Sequence, residues 1–200
     1  MAGRLGVCVR GSFLFILGVA FFYVSDIIQG IRFSIVDPYV PTRDCLNPKI
    51  WIPLGCGAAS VAVGLLSPLI DSKLGHIDVY DKEWPSVLRC IALFLGFNHA
   101  TARIDFASYL QLAFIVFGLS VGLWWIFDGS GVGLGFGLSV ALVATILGYS
   151  LPWRNMLRLS NPMMSAWIPC LFFSGAVITV LVGRQLAKPD VLTHTKQKMD

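Results

Sequence analysis

The sequence predicts an all-α membrane protein, a bundle of six transmembrane helices joined by short loops. Three observations predict it. Of 200 residues, 56% are hydrophobic and 13% charged, against about 25% charged in an ordinary soluble domain. The apolar residues gather into runs near the length of roughly 18 or more that crosses a bilayer. The connections between runs are too short to house a soluble catalytic domain.

The first run, GSFLFILGVAFFYVSDIIQGI, spans residues 11–31. Arg4 and Arg10 precede it in the manner of a signal peptide. The run is longer than an h-region, and it lacks an A-x-A-like site, so it reads as an uncleaved span. The second, residues 50–70, carries Pro53 in its first turn, where a missing N–H costs little. The third, residues 86–102, is the shortest and holds Arg89, Asn98 and His99. The fourth, 107–127, and the fifth, 131–151, are separated by Asp128, Gly129 and Ser130 alone, which makes them antiparallel neighbours. The sixth covers residues 164–183, and a tail runs from Arg184 to residue 200.

Six spans place both termini on one side. The terminal side holds nine basic residues: Arg4, Arg10, Lys73, Lys82, Arg89, Arg184, Lys188, Lys196 and Lys198. The other side holds six: Arg32, Arg43, Lys49, Arg103, Arg154 and Arg158. The positive-inside rule puts the termini in the cytosol. The chain ends KQKMD, and Lys196 and Lys198 there resemble a di-lysine retrieval signal, an address read in the cytosol. The basic residues form no clustered face, which argues against nucleic-acid binding.

Five cysteines, Cys8, Cys45, Cys56, Cys90 and Cys170, follow neither C-x-x-C nor finger spacing, so neither a disulfide framework nor a metal site is expected. The GSGVGLGFG stretch lacks a preceding strand and a following Lys-Ser/Thr, so it is no phosphate loop. Its Gly131, Gly135 and Ser139 read instead as a small-residue ridge for close helix approach.

Three polar features interrupt the apolar background. Asn98, His99, Arg103 and Asp105 crowd one helix end, where they form either the site of a lipid-binding transporter or membrane enzyme, or a polar terminus bonded to neighbouring helices. Gln111 reads as a buried amide one turn inside the fourth span. Such a group needs a partner, either another helix or a ligand hydroxyl. Asp128 follows Trp124 and Trp125, residues of the membrane–water boundary. It ends one span, caps the next, or awaits a donor from another protein.

The blocks WPSVLRCIALFLGFNHATARIDF and QLAFIVFGLSVGLWWIFDGSGVGLGFG closely resemble the Insig family of endoplasmic-reticulum proteins. So do WIPLGCGAASVAVGLLSPLID and WIPCLFFSGAVITVLVGRQLA, and the likeness runs in order from about residue 11 to 187. The resemblance implies a non-enzymatic regulator of sterol synthesis that takes no cofactor and binds an oxysterol such as 25-hydroxycholesterol. It implies retention of Scap, with its transcription-factor precursor, in the endoplasmic reticulum. It also implies bridging of hydroxymethylglutaryl-CoA reductase to membrane ubiquitin ligases. By the same resemblance, Phe94 and Gln111 match positions of oxysterol recognition, with Trp124 on the same span as Gln111. Asp128 matches the acid required for Scap association.

Overall fold

The computed structural model describes residues 2–30, 48–74, 83–104, 106–149 and 162–199. For 2–5, 29–30, 48–49, 149, 162–166 and 189–199 only the course of the backbone is described. Among these residues there are six α-helices and no strand: α1 (Ala2–Gly30), α2 (Pro48–Leu74), α3 (Trp84–Arg103), α4 (Tyr109–Leu123), α5 (Gly131–Tyr149) and α6 (Pro162–Met199). Five are long and apolar enough to cross a membrane. The exception is α3, the run made least apolar by Arg89, Asn98, His99 and Arg103. Cys45 and Asp105 lie outside the described residues.

The helices overrun the expected spans at several ends. The largest difference is at the C-terminal end, where no tail separates at Arg184. The backbone continues as helix to Met199, and the apolar segment itself runs Trp167–Lys188. Lys196 and Lys198 fall in this continuation, where only the backbone is described.

The centre of the bundle is α6. In the most apolar 18-residue stretch of its Trp167–Lys188 segment 72% of the residues are buried, against 11% in the corresponding stretch of Gly6–Ile28 in α1. One core cluster joins Leu14, Phe94, Leu123 and Phe127 to Phe173, Val177 and Ile178. Cys90 is in it too, behaving as a small hydrophobe. A second cluster places Leu112 and Val116 of α4 against Trp167 and Ile168. The outer faces carry exposed Ile16, Leu69, Phe117 and Leu142, as lipid-facing surfaces do.

Small residues set the closest approaches, since apolar burial between helices gains little when the solvent is itself apolar. A Cβ on Gly183 would stand 2.3 Å from the carbonyl oxygen of Gly64. That carbonyl faces Pro68 four residues on, which has no N–H to give it. The α2 backbone therefore exposes an oxygen opposite Gly183, where α6 has no side chain. On α5 the packed glycines are Gly133 and Gly137, the latter against the ring of Phe173. The expected ridge is rotated away: Gly131, Gly135 and Ser139 are exposed, and a Cβ on Gly131 or Gly135 would touch nothing.

Candidate functional site

Two places in the bundle bring chemistry together, and they lie towards opposite ends of α2, α5 and α6. The first is a cluster of buried charge. Between α4 and α5 the chain makes a single π-helical turn, Trp124–Asp128. It closes with the N–H of Gly129 bonding to the Trp124 carbonyl at 2.8 Å, and Gly129 takes the left-handed conformation, φ 63°. The widened turn leaves Trp125 and Ile126 exposed and carries Phe127 and Asp128 inward. The Asp128 side chain is therefore buried inside the bundle.

Its partner is Arg184 of α6, whose side chain is 2% exposed, while the side chains of Asp128 and Asp71 are 0% exposed. Arg184 donates Nη1–H to Asp128 Oδ1. It donates Nε–H to Asp71 Oδ2 at 2.7 Å and Nη2–H to Asp71 Oδ1 at 3.1 Å, a bidentate fork. The Nη2 group also reaches Ser130 Oγ at 2.9 Å. Ser130 is the N-cap of α5: its Oγ accepts from the Gly133 N–H at 2.9 Å and donates to Asp128 Oδ2 at 2.7 Å. The indole N–H of Trp124 donates to the Ser130 carbonyl at 3.0 Å.

Among the described residues one guanidinium serves two carboxylates, and Asp128 is the one at the α5 end. The N-terminal turn of α5 lies against it, and its orphan N–H groups favour an anion. Gly133 makes that contact possible, because a Cβ there would fall 1.7 Å from Asp128 Oδ2. The sequence reading found Asp128 but not its partners. Asp71 directly follows the second run, which ends at residue 70, and Arg184 directly follows the sixth, which ends at residue 183. The available signal was opposite charges at the same ends of apolar helices, where ionisable residues pair with one another.

The second place is a cavity of about 490 Å³ between α1, α2, α5 and α6, within the range of roughly 300–1,000 Å³ typical of ligand pockets. Phe21, Phe22, Phe136 and Phe172 supply aromatic walls. The lining side chains with polar atoms are few: the indole of Trp51, the thiol of Cys56 and the hydroxyls of Ser25, Ser60, Ser139, Thr145 and Thr179. Thr145 and Thr179 already donate to backbone carbonyls within their own helices, at 2.6 and 2.8 Å. The arrangement suits a rigid apolar body with few hydroxyls.

Of the residues expected at a sterol site, Phe94 lines this cavity. Its ring packs edge-on against Phe21 and Phe97, with centroids 5.6 Å apart in each pair. Gln111 is not a buried amide: it is exposed on the first turn of α4, and its backbone N–H is capped by Ser108 Oγ at 3.2 Å. Trp124 is half-buried beside the charge cluster, away from the cavity.

The described polar residues near the end of α3, Asn98, His99 and Arg103, do not converge. Asn98 is fully buried and donates Nδ2–H to the Phe94 carbonyl one turn back at 2.8 Å, whereas His99 and Arg103 are exposed. Among the described residues no cluster of metal-ligating side chains occurs.

Comparison with known proteins gives a consistent answer. Residues 9–187 match the family described as insulin-induced protein, INSIG. The chain is 42% identical over 181 residues to the insulin-induced gene 1 protein of Danio rerio, covering 89% of this chain and 72% of the relative. It is 37% identical over 186 residues to the insulin-induced gene 2 protein of Gallus gallus, covering 92% and 83%. The fold is similar to the crystal structure of a mycobacterial Insig homologue from Mycobacterium vanbaalenii, with TM-score 0.68 and 16% identity over 90% of this chain and 95% of that one.

Proposed function

The chain belongs to the Insig family, a family of regulators and not of enzymes, and from that premise we propose that it binds an oxysterol and retains sterol-sensing membrane proteins in the endoplasmic reticulum. The proposed partners are Scap, with its transcription-factor precursor, and hydroxymethylglutaryl-CoA reductase, which it would present to membrane ubiquitin ligases for degradation. The KQKMD tail and the basic residues of the terminal side support residence in the endoplasmic reticulum with both termini cytosolic.

The observation that carries the ligand reading is the cavity. It is large enough for a drug-sized molecule, walled by aromatic and small residues, and sparing in polar groups. A site of that kind holds an apolar body by shape and orients it by one or two hydroxyl contacts. The divergence of Asn98 from His99 and Arg103 speaks against the transporter or enzyme alternative at that cluster.

A second reading rests on Gln111. It is exposed beside Leu110 and Phe114 on the outer face of α4, so a sterol recognised by this amide would lie on the outside of the bundle, against a partner. Binding of 25-hydroxycholesterol to the detergent-purified chain separates the two. Gly175 lines the cavity and has open space at its Cβ. Gly175→Leu should weaken cavity binding by at least about tenfold, since each added methylene in a filled pocket costs that order. Gln111→Ala should leave it unchanged. The reverse pattern would move the ligand to the α4 surface, and no binding by wild type, alone or with the Scap membrane domain, would end the sterol reading.

A further inference from the structure

We infer that Arg184 and Asp71 are positioning residues for partner retention, and that Asp128 acts through them, not by touching the partner. The inference rests on the retention role proposed above and changes how its acid works. A docking carboxylate must present an oxygen. Here both Asp128 oxygens are engaged inside the chain, Oδ1 by Arg184 and Oδ2 by the Ser130 hydroxyl, and the side chain is 0% exposed. A partner could reach it only by dismantling the cluster.

Dismantling it is costly. Removing one member of a buried ion pair leaves the other charge uncompensated in a medium that solvates it poorly. Four segments depend on the same atoms. Asp71 brings in α2, Arg184 brings in α6, Ser130 starts α5, and Asp128 ends the π turn. Trp124 is tied in through the Ser130 carbonyl, so the orientation of the whole WWIFD turn follows from the cluster.

That turn is what a partner can meet. Trp125 and Ile126 are 72% and 70% exposed on it, directly beside the buried acid. Loss of Asp128 would release this turn as well as the ends of α2, α5 and α6. Two other residues should then carry the same weight as Asp128 without matching any partner-contact motif.

The test uses the full chain in detergent with a Scap membrane domain and 25-hydroxycholesterol. Wild type is compared with Asp128→Asn, Arg184→Gln, Asp71→Asn and the Asp128→Asn/Arg184→Gln double variant. Sterol binding by each chain alone is measured in parallel as a check of folding. Positioning predicts that Asp128→Asn and Arg184→Gln each lower sterol-dependent capture on the order of tenfold, and that the double variant falls no further, as for residues of one network. Sterol binding by the isolated chain should stay within about twofold.

Normal capture by Arg184→Gln, or losses that multiply in the double variant, would overturn the inference while leaving retention itself intact. Absence of capture by wild type would overturn both. Should Arg184→Gln fail to fold, Arg184→Lys decides. It keeps the charge but not the bidentate fork, so partial loss of capture supports positioning, and full capture overturns it.

Discussion

The two ends of the bundle are built from the same helices and on opposite principles. At one end α2, α5 and α6 draw together around Arg184, with all three guanidinium nitrogens engaged and with Gly133 and Gly183 reduced to hydrogen so that oxygens can approach. At the other they stand apart around a cavity where two of the lining glycines, Gly55 and Gly175, have open space where a side chain would be, while a third, Gly18, lets α1 pack closely on Cys56 and Ser60 of α2. Gly133 and Gly183 thus serve closure at the charged end, whereas Gly55 and Gly175 leave vacancy at the cavity. Polar groups inside a membrane must be satisfied internally, so the charged end permits one arrangement. An apolar cavity makes no such demand and can accept a ligand.

Substitutions should expose this contrast, and the largest effect is expected at Gly133. In Gly133→Leu the new side chain would occupy the space of the Asp128 carboxylate. Breaking a buried pair costs roughly 3–5 kcal/mol, so the variant should lose most of its monodisperse yield and melt at markedly lower temperature in detergent. A normal melting curve would mean that the charged end is not the rigid one. Next comes Ser130→Ala, which removes an N-cap worth about 1 kcal/mol together with one contact each to Asp128 and Arg184. A destabilisation clearly above that of an isolated cap is expected in the same assay.

The cavity end should behave differently. Gly55→Leu and Gly175→Leu should leave thermal stability within about 1 kcal/mol of wild type, because space is available and a helix prefers Leu to Gly by that order. Strong destabilisation would show that the vacancy is needed for folding and not for a ligand. The smallest effect belongs to Gln111→Ala. As an exposed side chain whose backbone N–H is capped by Ser108, it should change stability by no more than about 0.5 kcal/mol.

Asp128 shows how far a single sequence can be read. It was visible because a charge among apolar residues demands an explanation, and three explanations stood open: helix end, cap or partner contact. The structure places it near the start of α5, yet makes Ser130 the cap and gives Asp128 to Arg184. Arg184 and Asp71 escaped notice because each stands at the end of an apolar run, where a charge normally marks the return to water. Gln111 failed in the opposite direction. Four residues into the fourth span it read as buried, but α4 turns that residue outward.

Among the described residues the number and order of the helices were therefore determined by the sequence alone, because the free energy of burying an apolar run in a bilayer depends on the run itself and hardly on its neighbours, whereas their ends were not, as the continuation of α6 to Met199 shows. Family membership was determined there too, in blocks of residues that keep their order. Rotation of each helix about its axis was decided only by tertiary structure. Lipid solvates an apolar helix on every side, so hydrophobicity does not choose an inner face. Gly64 against Gly183, Gly137 against Phe173, and one guanidinium between two carboxylates make that choice by contact geometry.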